Sequence, residues 1–297
     1  MTVVTGIAIA LVCTAGVCHA DEAPAPAPHE VVKKPAPHKV VKKPAAKRRP
    51  NAQAKKTVAH KNATDHGVSK TKTDPERAST QAHMVKTTDV EATPAYRYGS
   101  LSKDACEAEL TTRKIAFTPE PSPVPGVLAP VRIEGPLHGV EFRGDLAEKA
   151  RAESPYEIAD CRLVLSLDDF AEILTTHGIV EVRHYSMYRP PAKDWPADKL
   201  GTRHNGALAL DAGRFIDKAG KVLDVTKDFN GAIDAKTCGE GATPNPVTPE
   251  ATELRAILCE AVDRRLFNVV LTPNYNKPHK NHFHLEITAG VKWFLVH

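Results

Sequence analysis

Polar and apolar side chains alternate without a break in the stretch His282-Phe283-His284-Leu285-Glu286-Ile287, near the end of the chain. Because successive side chains of a β-strand point to opposite faces, this alternation predicts a strand that carries both histidines and Glu286 on one face. The three apolar side chains of the other face would pack into a hydrophobic core. We therefore expect a sheet with one functional side, where two imidazoles reach the same point.

A second histidine motif precedes it, His204-Asn205-Gly206-Ala207-Leu208-Ala209-Leu210-Asp211. Its apolar and small residues predict a strand over Ala207–Phe215, on which Asp211 shares a face with two alanines. Such small side chains leave room beside the carboxylate for a ligand. His204 would lie on the preceding loop and fold back toward Asp211.

The pattern around these motifs predicts an α+β fold with a central antiparallel sheet flanked by helices. The predicted helices run from Ser102 to about Arg113, from a capping box at Ser166 and Asp169 to about Gly178, and onward from Thr248 and Pro249. The further predicted strands are Ile179–Tyr188, Val222–Val225, Val269–Leu271 and, as the last one, His282–Ile287. Residues 118–130 are Pro-rich and predict a loop.

The chain begins with a segment that is typical of export signals. Residues 1–20 are almost wholly apolar or small and end in Ala20, ahead of two acidic residues. This pattern predicts a secretory signal peptide over residues 1–20, and hence a periplasmic or extracellular protein of the cell envelope. Because no Lys or Arg precedes the apolar run, an uncleaved anchor is the alternative.

A basic segment follows at residues 21–95, rich in Ala, Pro, Lys, Thr and His and without any aromatic residue. It holds 15 Lys or Arg residues against 8 Asp or Glu residues, whereas the whole chain has a formal net charge of +4. Such a segment cannot bury enough apolar surface to offset its ordering entropy, so we predict a disordered tether. It would either adhere to an anionic envelope surface or serve as a solvated spacer. Nucleic acid is not an expected partner, because no aromatic residues interleave with the lysines.

The single domain predicted to follow, residues 96–297, contains four cysteines: Cys106, Cys161, Cys238 and Cys259. An even number in an exported chain predicts two disulfides. Of the three possible connectivities we favour Cys106–Cys161 with Cys238–Cys259, because each pair would brace one flank of the domain. No two of these cysteines have CxxC spacing, which disfavours a zinc site built from thiolates.

The two histidine motifs together supply the side chains that hold catalytic zinc. Neutral imidazoles and one carboxylate are common ligands of such sites, which keep a coordination position open for water. Zinc there lowers the pKa of the water and polarises a carbonyl group, and a nearby cation stabilises the oxyanion. The motifs therefore indicate hydrolytic chemistry in an exported protein.

The motif order, His-x6-Asp followed by His-x-His, resembles that of the zinc D-Ala-D-Ala metallopeptidases. Tyr185–Arg189, His204–Asp211 and Leu271–His284 more closely resemble the extensin-like C-terminal domain of bacterial envelope proteins, over roughly residues 100–290. The resemblance implies a fold similar to that of the D-Ala-D-Ala metallopeptidases, with Zn²⁺ as the cofactor. It covers the four cysteines as well.

The resemblance also implies roles for individual residues. His282 would be an acid/base or transition-state residue outside the ligand set, and Arg189 would stabilise the substrate or the oxyanion. His279 would match a further active-site histidine. The implied metal ligands are His204, Asp211 and His284.

Two positions depart from the family's pattern. Ala207 stands three residues after His204, where the family usually has glycine, while Gly206 is one position earlier. Asn281 stands where many relatives carry the Asp or Glu that acts as general base, and an amide cannot accept the proton. Either His282 or Glu286 would then serve as the base, or the site would bind metal without efficient turnover.

These expectations converge on a zinc-dependent peptidase that acts on peptidoglycan stem peptides, as a carboxypeptidase or an endopeptidase. The ligand types, the predicted export and a tether long enough to reach the wall favour it. The alternative is a non-catalytic wall-binding or structural envelope protein that retains the metal cleft. Asn281 is the residue that favours this alternative.

Overall fold

The structure is a computed structural model that describes Met84–Val85 and residues 89–297. The predicted signal peptide, residues 1–20, and most of the predicted tether lie outside the described residues. The last residues of that predicted tether are described, and they belong to the fold. Ala95 is fully buried, and its N–H donates to the Arg265 carbonyl at 3.1 Å. The folded part therefore begins before the predicted boundary at residue 96.

The described residues form six α-helices and eleven strands. The helices are α1 Pro94–Gly99, α2 Lys103–Thr112, α3 Glu148–Glu153, α4 Cys161–Thr176, α5 Val225–Asp228 and α6 Pro249–Asp263. The strands are β1 Met84–Val85, β2 Phe117–Pro119, β3 Pro130–Ile133, β4 Glu141–Gly144, β5 Ala159–Asp160, β6 Ile179–His184, β7 Ala209–Asp217, β8 Val222–Asp224, β9 Val269–Leu271, β10 Phe283–Glu286 and β11 Phe294–Val296. Single 3₁₀ turns occupy Pro155–Glu157, Ala197–Lys199, Arg203–Gly206 and Lys277–His279.

A mainly antiparallel sheet forms the centre of the fold, as predicted for an α+β protein. Its strand order is β1-β11-β9-β10-β7-β6-β4, with β8 paired to β7. The pairs β4–β6 and β9–β11 are parallel, which the sequence did not predict. The strand His282–Ile287 is not the last one, since β11 follows it and lies beside β9. A smaller sheet has the order β2-β3-β5.

Two predicted helix starts are confirmed by their caps. The Ser102 hydroxyl accepts a hydrogen bond from the Ala105 N–H at 3.3 Å, at the start of α2. The Thr248 hydroxyl accepts one from the Ala251 N–H at 3.1 Å, and Pro249 is the first residue of α6. In both cases a side-chain oxygen satisfies an N–H group that has no partner within the helix.

Helix α4 begins at Cys161, so the predicted start at Ser166 is wrong. The Asp160 carboxylate caps this helix by accepting from the Arg162 N–H at 3.1 Å, and it also binds the Arg162 guanidinium at 2.7 Å. Every residue from Cys161 to Asp168 is buried. A helix that is buried on all sides shows no apolar stripe of helical period, so its first two turns gave no helical signal.

The strands before and within the histidine motifs are shifted from their predicted ends. The predicted strand Ile179–Tyr188 ends at His184, because the register with β7 shifts between Arg183 and His184. Strand β7 begins at Ala209 instead of Ala207, because Ala207 has a left-handed backbone with φ 52°. The chain turns there and enters the sheet two residues later.

One face of the sheet is packed into the hydrophobic core. Phe283, Leu285 and Ile287 are fully buried, as the alternation predicted, and Leu210 and Ala212 of β7 join them. These side chains form one continuous apolar cluster with residues of α4 and α6. The opposite face of β7 and β10 is thereby left for the polar side chains.

Both predicted disulfides are confirmed. Cys106 of α2 is bonded to Cys161 at the start of α4, and Cys238 is bonded to Cys259 within α6. Two disulfides indicate an oxidising, extracytoplasmic environment. Within the residues that the structure describes, no helix combines the length and the apolar character needed to cross a bilayer.

Candidate metal centre

Strands β7 and β10 place a histidine and a carboxylate side by side. Their antiparallel register pairs His284 with Asp211 and Glu286 with Ala209. His284 Nδ1 lies 3.0 Å from Asp211 Oδ1. The register therefore holds these two side chains together on the polar face of the sheet.

The 3₁₀ turn Arg203–Gly206 brings in the third polar group. His204 Nε2 lies 3.1 Å from Asp211 Oδ1 and 3.2 Å from His284 Nδ1. All three side chains are buried, and their ligand atoms lie within 4.8 Å of one another. The structure thus brings together the three residues that the resemblance implied as metal ligands.

Ala207 and Gly206 meet different requirements in this turn. Ala207 occupies the left-handed region that favours glycine, which is where the family pattern usually has glycine. Gly206 packs directly on the backbone of Gly201, where an added Cβ would lie 2.5 Å from a carbonyl carbon. The glycine at position 206 therefore does not replace the one missing at position 207.

Hydrogen bonds on the outer side of the trio determine where the imidazole protons lie. His204 Nδ1 is 3.0 Å from the Met187 carbonyl, which can only accept. His284 Nε2 is 3.0 Å from Glu286 Oε2, and that carboxylate is also an acceptor. With a cation in the site, these two ring nitrogens would keep their protons, and His204 Nε2 and His284 Nδ1 would present lone pairs to the cation.

The donor set fits a zinc ion. Two lone pairs and a carboxylate oxygen lie 3.0–3.2 Å apart, and such groups repel unless a proton or a cation lies among them. In a tetrahedral zinc site with metal–ligand bonds of about 2.0–2.1 Å, the ligand atoms are roughly 3.3 Å apart. The observed separations are close to that value, and the outer hydrogen bonds are typical of histidines that bind zinc.

The charges at the site also favour a cation. Burial raises the pKa of Asp211, but contacts with His204, His282 and His284 outweigh burial and hold that pKa well below its ordinary value. The pKa of Glu286 is lowered against its burial by His284. Burial lowers the pKa of His204, whereas the two carboxylates raise the pKa of His284 against its burial. Two buried carboxylates thus attract either a proton or a metal cation to this point.

His282 extends the cluster on the same face. Its Nε2 lies 3.2 Å from Asp211 Oδ1, and its Nδ1 lies 2.9 Å from Asn281 Oδ1. With the amide oxygen as the acceptor, the His282 proton lies on Nδ1 and a lone pair on Nε2 faces the trio. Asn281, which departs from the family pattern, is therefore the group that orients His282.

Arg189 is bound to the Asp211 carboxylate. Its Nη2 donates to Asp211 Oδ2, and its Nε donates to Ser186 Oγ at 2.8 Å. Half of the Arg189 side chain, 50%, is exposed. The family resemblance implied that Arg189 is a partner for the substrate or the oxyanion. The structure places this guanidinium on the Asp211 carboxylate.

Glu286 lies on the far side of His284 from Asp211. Its Oε2 accepts a hydrogen bond from His284 Nε2 at 3.0 Å, and its Oε1 accepts one from the Thr288 hydroxyl at 2.8 Å. The Arg203 guanidinium is 3.8 Å away. With both oxygens engaged and only 3% of the residue exposed, Glu286 is placed to orient His284 rather than to receive a proton from a substrate.

His279 borders the cluster without joining the trio. Its Nδ1 lies 2.7 Å from Asn276 Oδ1, and its ring centre is 5.2 Å from that of His282 and 5.8 Å from that of His284. Burial, together with these two histidines, lowers the pKa of His279 to about 4. At neutral pH this side chain is a neutral imidazole at the edge of the site.

Some contributors to the site were not predicted as site residues. The Met187 carbonyl orients His204, but a backbone group leaves no signature in the sequence. Tyr185 packs edge-on against His282, with ring centres 6.0 Å apart. Gly213 makes this possible, because a Cβ there would lie 2.9 Å from the Tyr185 ring. Gly213 lies two residues after Asp211 on the same face of β7, and this glycine was the one sequence signal for the contact between Tyr185 and His282.

A comparison with known protein families gives a match. The chain matches the family model described as "Extensin-like protein C-terminus" over residues 104–295. No curated protein and no solved structure matches the chain significantly. The matched region contains every side chain of the cluster and all four disulfide-bonded cysteines.

Proposed function

Since the chain belongs to the family of extensin-like protein C-termini, we propose that it is a zinc-dependent peptidase of the cell envelope, related to the zinc D-Ala-D-Ala metallopeptidases. The convergence of His204, Asp211 and His284, with their acceptor atoms facing one point, is the observation that carries the proposal. The proposed substrates are peptidoglycan stem peptides, cleaved by carboxypeptidase or endopeptidase action. The motif order His-x6-Asp and His-x-His supports this substrate class.

Each residue around the trio has a distinct proposed task. Zinc held by the trio would supply a Lewis acid and lower the pKa of a bound water. His282 would accept the proton at Nε2, since Asn281 keeps the other ring nitrogen protonated. Arg189 would hold Asp211 in place and present its exposed N–H groups to the carbonyl oxygen of the substrate. His279, neutral at the edge, would contact the peptide.

The proposed location is the periplasm or the cell exterior. The disulfides support an oxidising compartment, and residues 1–20 have the composition of a signal peptide. The basic segment at residues 21–95 would then link the domain to an anionic surface of the envelope or act as a spacer. Either role would let the domain reach the wall.

Purified sacculi provide the test of this function. The zinc-loaded full chain should release new peptide termini that mass spectrometry detects, and His284→Ala should release none. His138→Ala, at a histidine far from the trio in sequence and with 41% of its side chain exposed, is the matched control and should retain the activity. Bound zinc without new termini would reject the peptidase proposal.

A non-catalytic wall-binding protein is the second candidate, and Asn281 is the observation that favours it. If catalysis has been lost because the carboxylate base is missing, Asn281→Asp should create peptidase activity where the natural chain has none. If His282 is the working base, Asn281→Asp should change an existing activity without creating a new one. The comparison of these two chains on the same sacculi separates the candidates.

A further inference from the structure

The turn that carries His279 also forms one wall of a cavity. Lys280, which directly follows His279, lines a space of about 450 Å³ together with Asn245, Pro273 and most of the segment 225–233. This segment follows β8 and includes α5. The cavity therefore shares one short turn with the histidine cluster.

The cavity lining is basic. It contains Lys227 and Lys280 and the amides of Asn230 and Asn245, and no Asp or Glu is among the lining residues. Lys227 Nζ lies 4.0 Å from Asp224, at the limit of an ion pair, with 77% of its side chain exposed. Lys280 has no carboxylate partner among the residues that the structure describes. The Asn230 amide already donates to the Pro246 carbonyl at 3.0 Å and to the Thr248 hydroxyl at 3.3 Å. Two ammonium groups in one concave site without a lining carboxylate suit an anionic ligand.

A buried guanidinium lies against the same wall. The Arg255 guanidinium stacks on the Phe229 ring at 4.1 Å, and its Nη2 is 3.4 Å from the carbonyl oxygens of Phe229 and Asn230. Within the described part of the chain, Arg255 Nε and Nη1 have no hydrogen-bond partner, although the residue is only 6% exposed. This incompletely compensated positive charge makes the cavity more attractive to an anion.

The cavity walls are joined by a buried asparagine. Asn274 Oδ1 accepts from the Ala232 N–H at 2.9 Å, and the Asn274 carbonyl accepts from the Asp234 N–H at 2.8 Å. Gly231 permits this contact, because a Cβ there would lie 2.3 Å from Asn274 Oδ1. The loop and the segment that leads into the histidine-bearing turn are thus joined in the absence of a ligand, which lowers the ordering cost of binding.

We propose that this cavity binds a carboxylate group of the peptide substrate, with Lys280 and Lys227 as its direct partners. Ile233, which is exposed, and Pro273 would contact the aliphatic part of the substrate residue that carries this carboxylate. The inference rests on the proposed peptidase function, since it assigns the cavity to that substrate. Binding in this cavity would make the site selective for stem peptides with a free carboxyl group beside the scissile bond.

Equilibrium binding tests the proposal without turnover. The full chain carrying His284→Ala is titrated with a stem-type tetrapeptide whose acidic side chain is free, and with the same peptide amidated at that carboxyl. The free acid should bind about tenfold more tightly, as expected for charge-assisted contacts. Lys280→Ala and Lys227→Ala should each lower the affinity for the free acid by about threefold to tenfold. Neither variant should change the affinity for the amidated peptide. Lys277→Ala is the matched control, because Lys277 is exposed in the same turn and does not line the cavity.

The outcomes separate the cavity from the peptidase function. Equal binding of the free and amidated peptides, or equal effects of Lys280→Ala and Lys277→Ala, would overturn the cavity proposal. Carboxylate selectivity in binding, combined with no hydrolysis by the zinc-loaded natural chain, would support the cavity and reject the peptidase. Unchanged thermal midpoints of the lysine variants would show that altered binding does not come from unfolding.

Discussion

His284 and Asp211 occupy paired positions on β10 and β7, and their Nδ1 and Oδ1 atoms lie 3.0 Å apart. The distance between paired residues is fixed by the hydrogen bonds of the sheet, not by the side chains alone. The site therefore does not need to be assembled by ligand binding. A preformed pair of acceptors at this distance should bind a cation with little ordering cost.

Zinc should therefore stabilise the folded protein. A ligand that binds only the native state adds about 2.7 kcal/mol to the free energy of unfolding at a concentration of 100 times its Kd. We expect Zn²⁺ to raise the thermal midpoint of the full chain and a chelator to reverse the increase. Asp211→Ala and His284→Ala should abolish the response. A midpoint that zinc leaves unchanged would reject the ligand assignment, and His138→Ala should respond as the natural chain does.

The Glu286 carboxylate should contribute to zinc affinity rather than to proton transfer. Glu286→Gln keeps an oxygen that can accept from His284 Nε2, but it removes a buried negative charge. We expect zinc affinity to fall by about 10- to 100-fold, as is typical when the outer partner of a metal-binding histidine is changed. Competition with a chromophoric chelator measures this. Unchanged affinity with lost hydrolysis would instead identify Glu286 as the base.

The residue pattern predicted the two halves of the cluster separately, because the period of a strand assigns side chains to faces, whereas the ligand set that joins them was implied by the family resemblance. His282, His284 and Glu286 share a face as the alternation required, and the core residues between them are buried. The proximity of His204 to Asp211 followed from their place at either side of a turn. Both relations depend on residues that are near each other in the sequence, or on the rule that alternate residues of a strand share a face. One sequence was therefore enough to predict them.

Other features of the site depend on tertiary contacts that no local pattern encodes. Arg189 lies against Asp211 because the backbone after β6 continues beside β7, where the Asp211 N–H donates to the Ser186 carbonyl at 3.1 Å. The start of α4 was missed because its first two turns, Cys161–Asp168, are buried on all sides and show no separate apolar stripe. The parallel pairing of β11 with β9 joins strands that are separated by β10 in the chain. Such pairings are decided by the packing of the whole sheet.

Ala207 should be a point of stored backbone strain. A left-handed backbone destabilises the folded state of a residue with a Cβ by about 1–2 kcal/mol, and glycine avoids this cost. Glycine also raises the conformational entropy of the unfolded chain, which offsets roughly 0.5–1 kcal/mol of that gain. Ala207→Gly should therefore increase the free energy of unfolding by about 0.5–1 kcal/mol. Urea denaturation measures the change. Gly206→Ala is the contrasting variant and should destabilise strongly, because its Cβ would meet the Gly201 backbone at 2.5 Å. A destabilising Ala207→Gly would contradict the argument.

The contact between α1 and α4 should weaken at high pH. The Tyr98 hydroxyl donates to Asp169 at 2.6 Å and accepts from Arg113 Nη2 at 2.7 Å. Burial, and then the hydrogen bond to Asp169, raise the pKa of Tyr98 to about 12. A tyrosine in the unfolded chain titrates near about 10. The contribution of Tyr98 to stability is therefore complete below pH 10 and is lost as the pH rises through about 12.

Tyr98→Phe isolates this contribution. The variant should be less stable than the natural chain at pH 8, and the difference between the two should shrink between about pH 10 and about 12. Urea unfolding at a series of pH values measures it. Tyr156→Phe, at a tyrosine that is 42% exposed, is the control and should show no such convergence. A constant difference across the pH range would argue against the raised pKa of Tyr98.

The two disulfides should contribute unequally to stability. Cys106 and Cys161 are separated by 55 residues, whereas Cys238 and Cys259 are separated by 21. Because the entropy that a crosslink removes from the unfolded chain grows with the length of the closed loop, replacing the first pair by alanine should cost about 4 kcal/mol and the second about 3 kcal/mol. Chemical denaturation of the two double variants measures this order. A larger loss for the second pair would mean that Cys238–Cys259 acts mainly through native contacts, by holding the loop between α5 and α6 in place. Loss of the basic cavity in that variant, seen as loss of carboxylate selectivity, would then accompany the loss of stability.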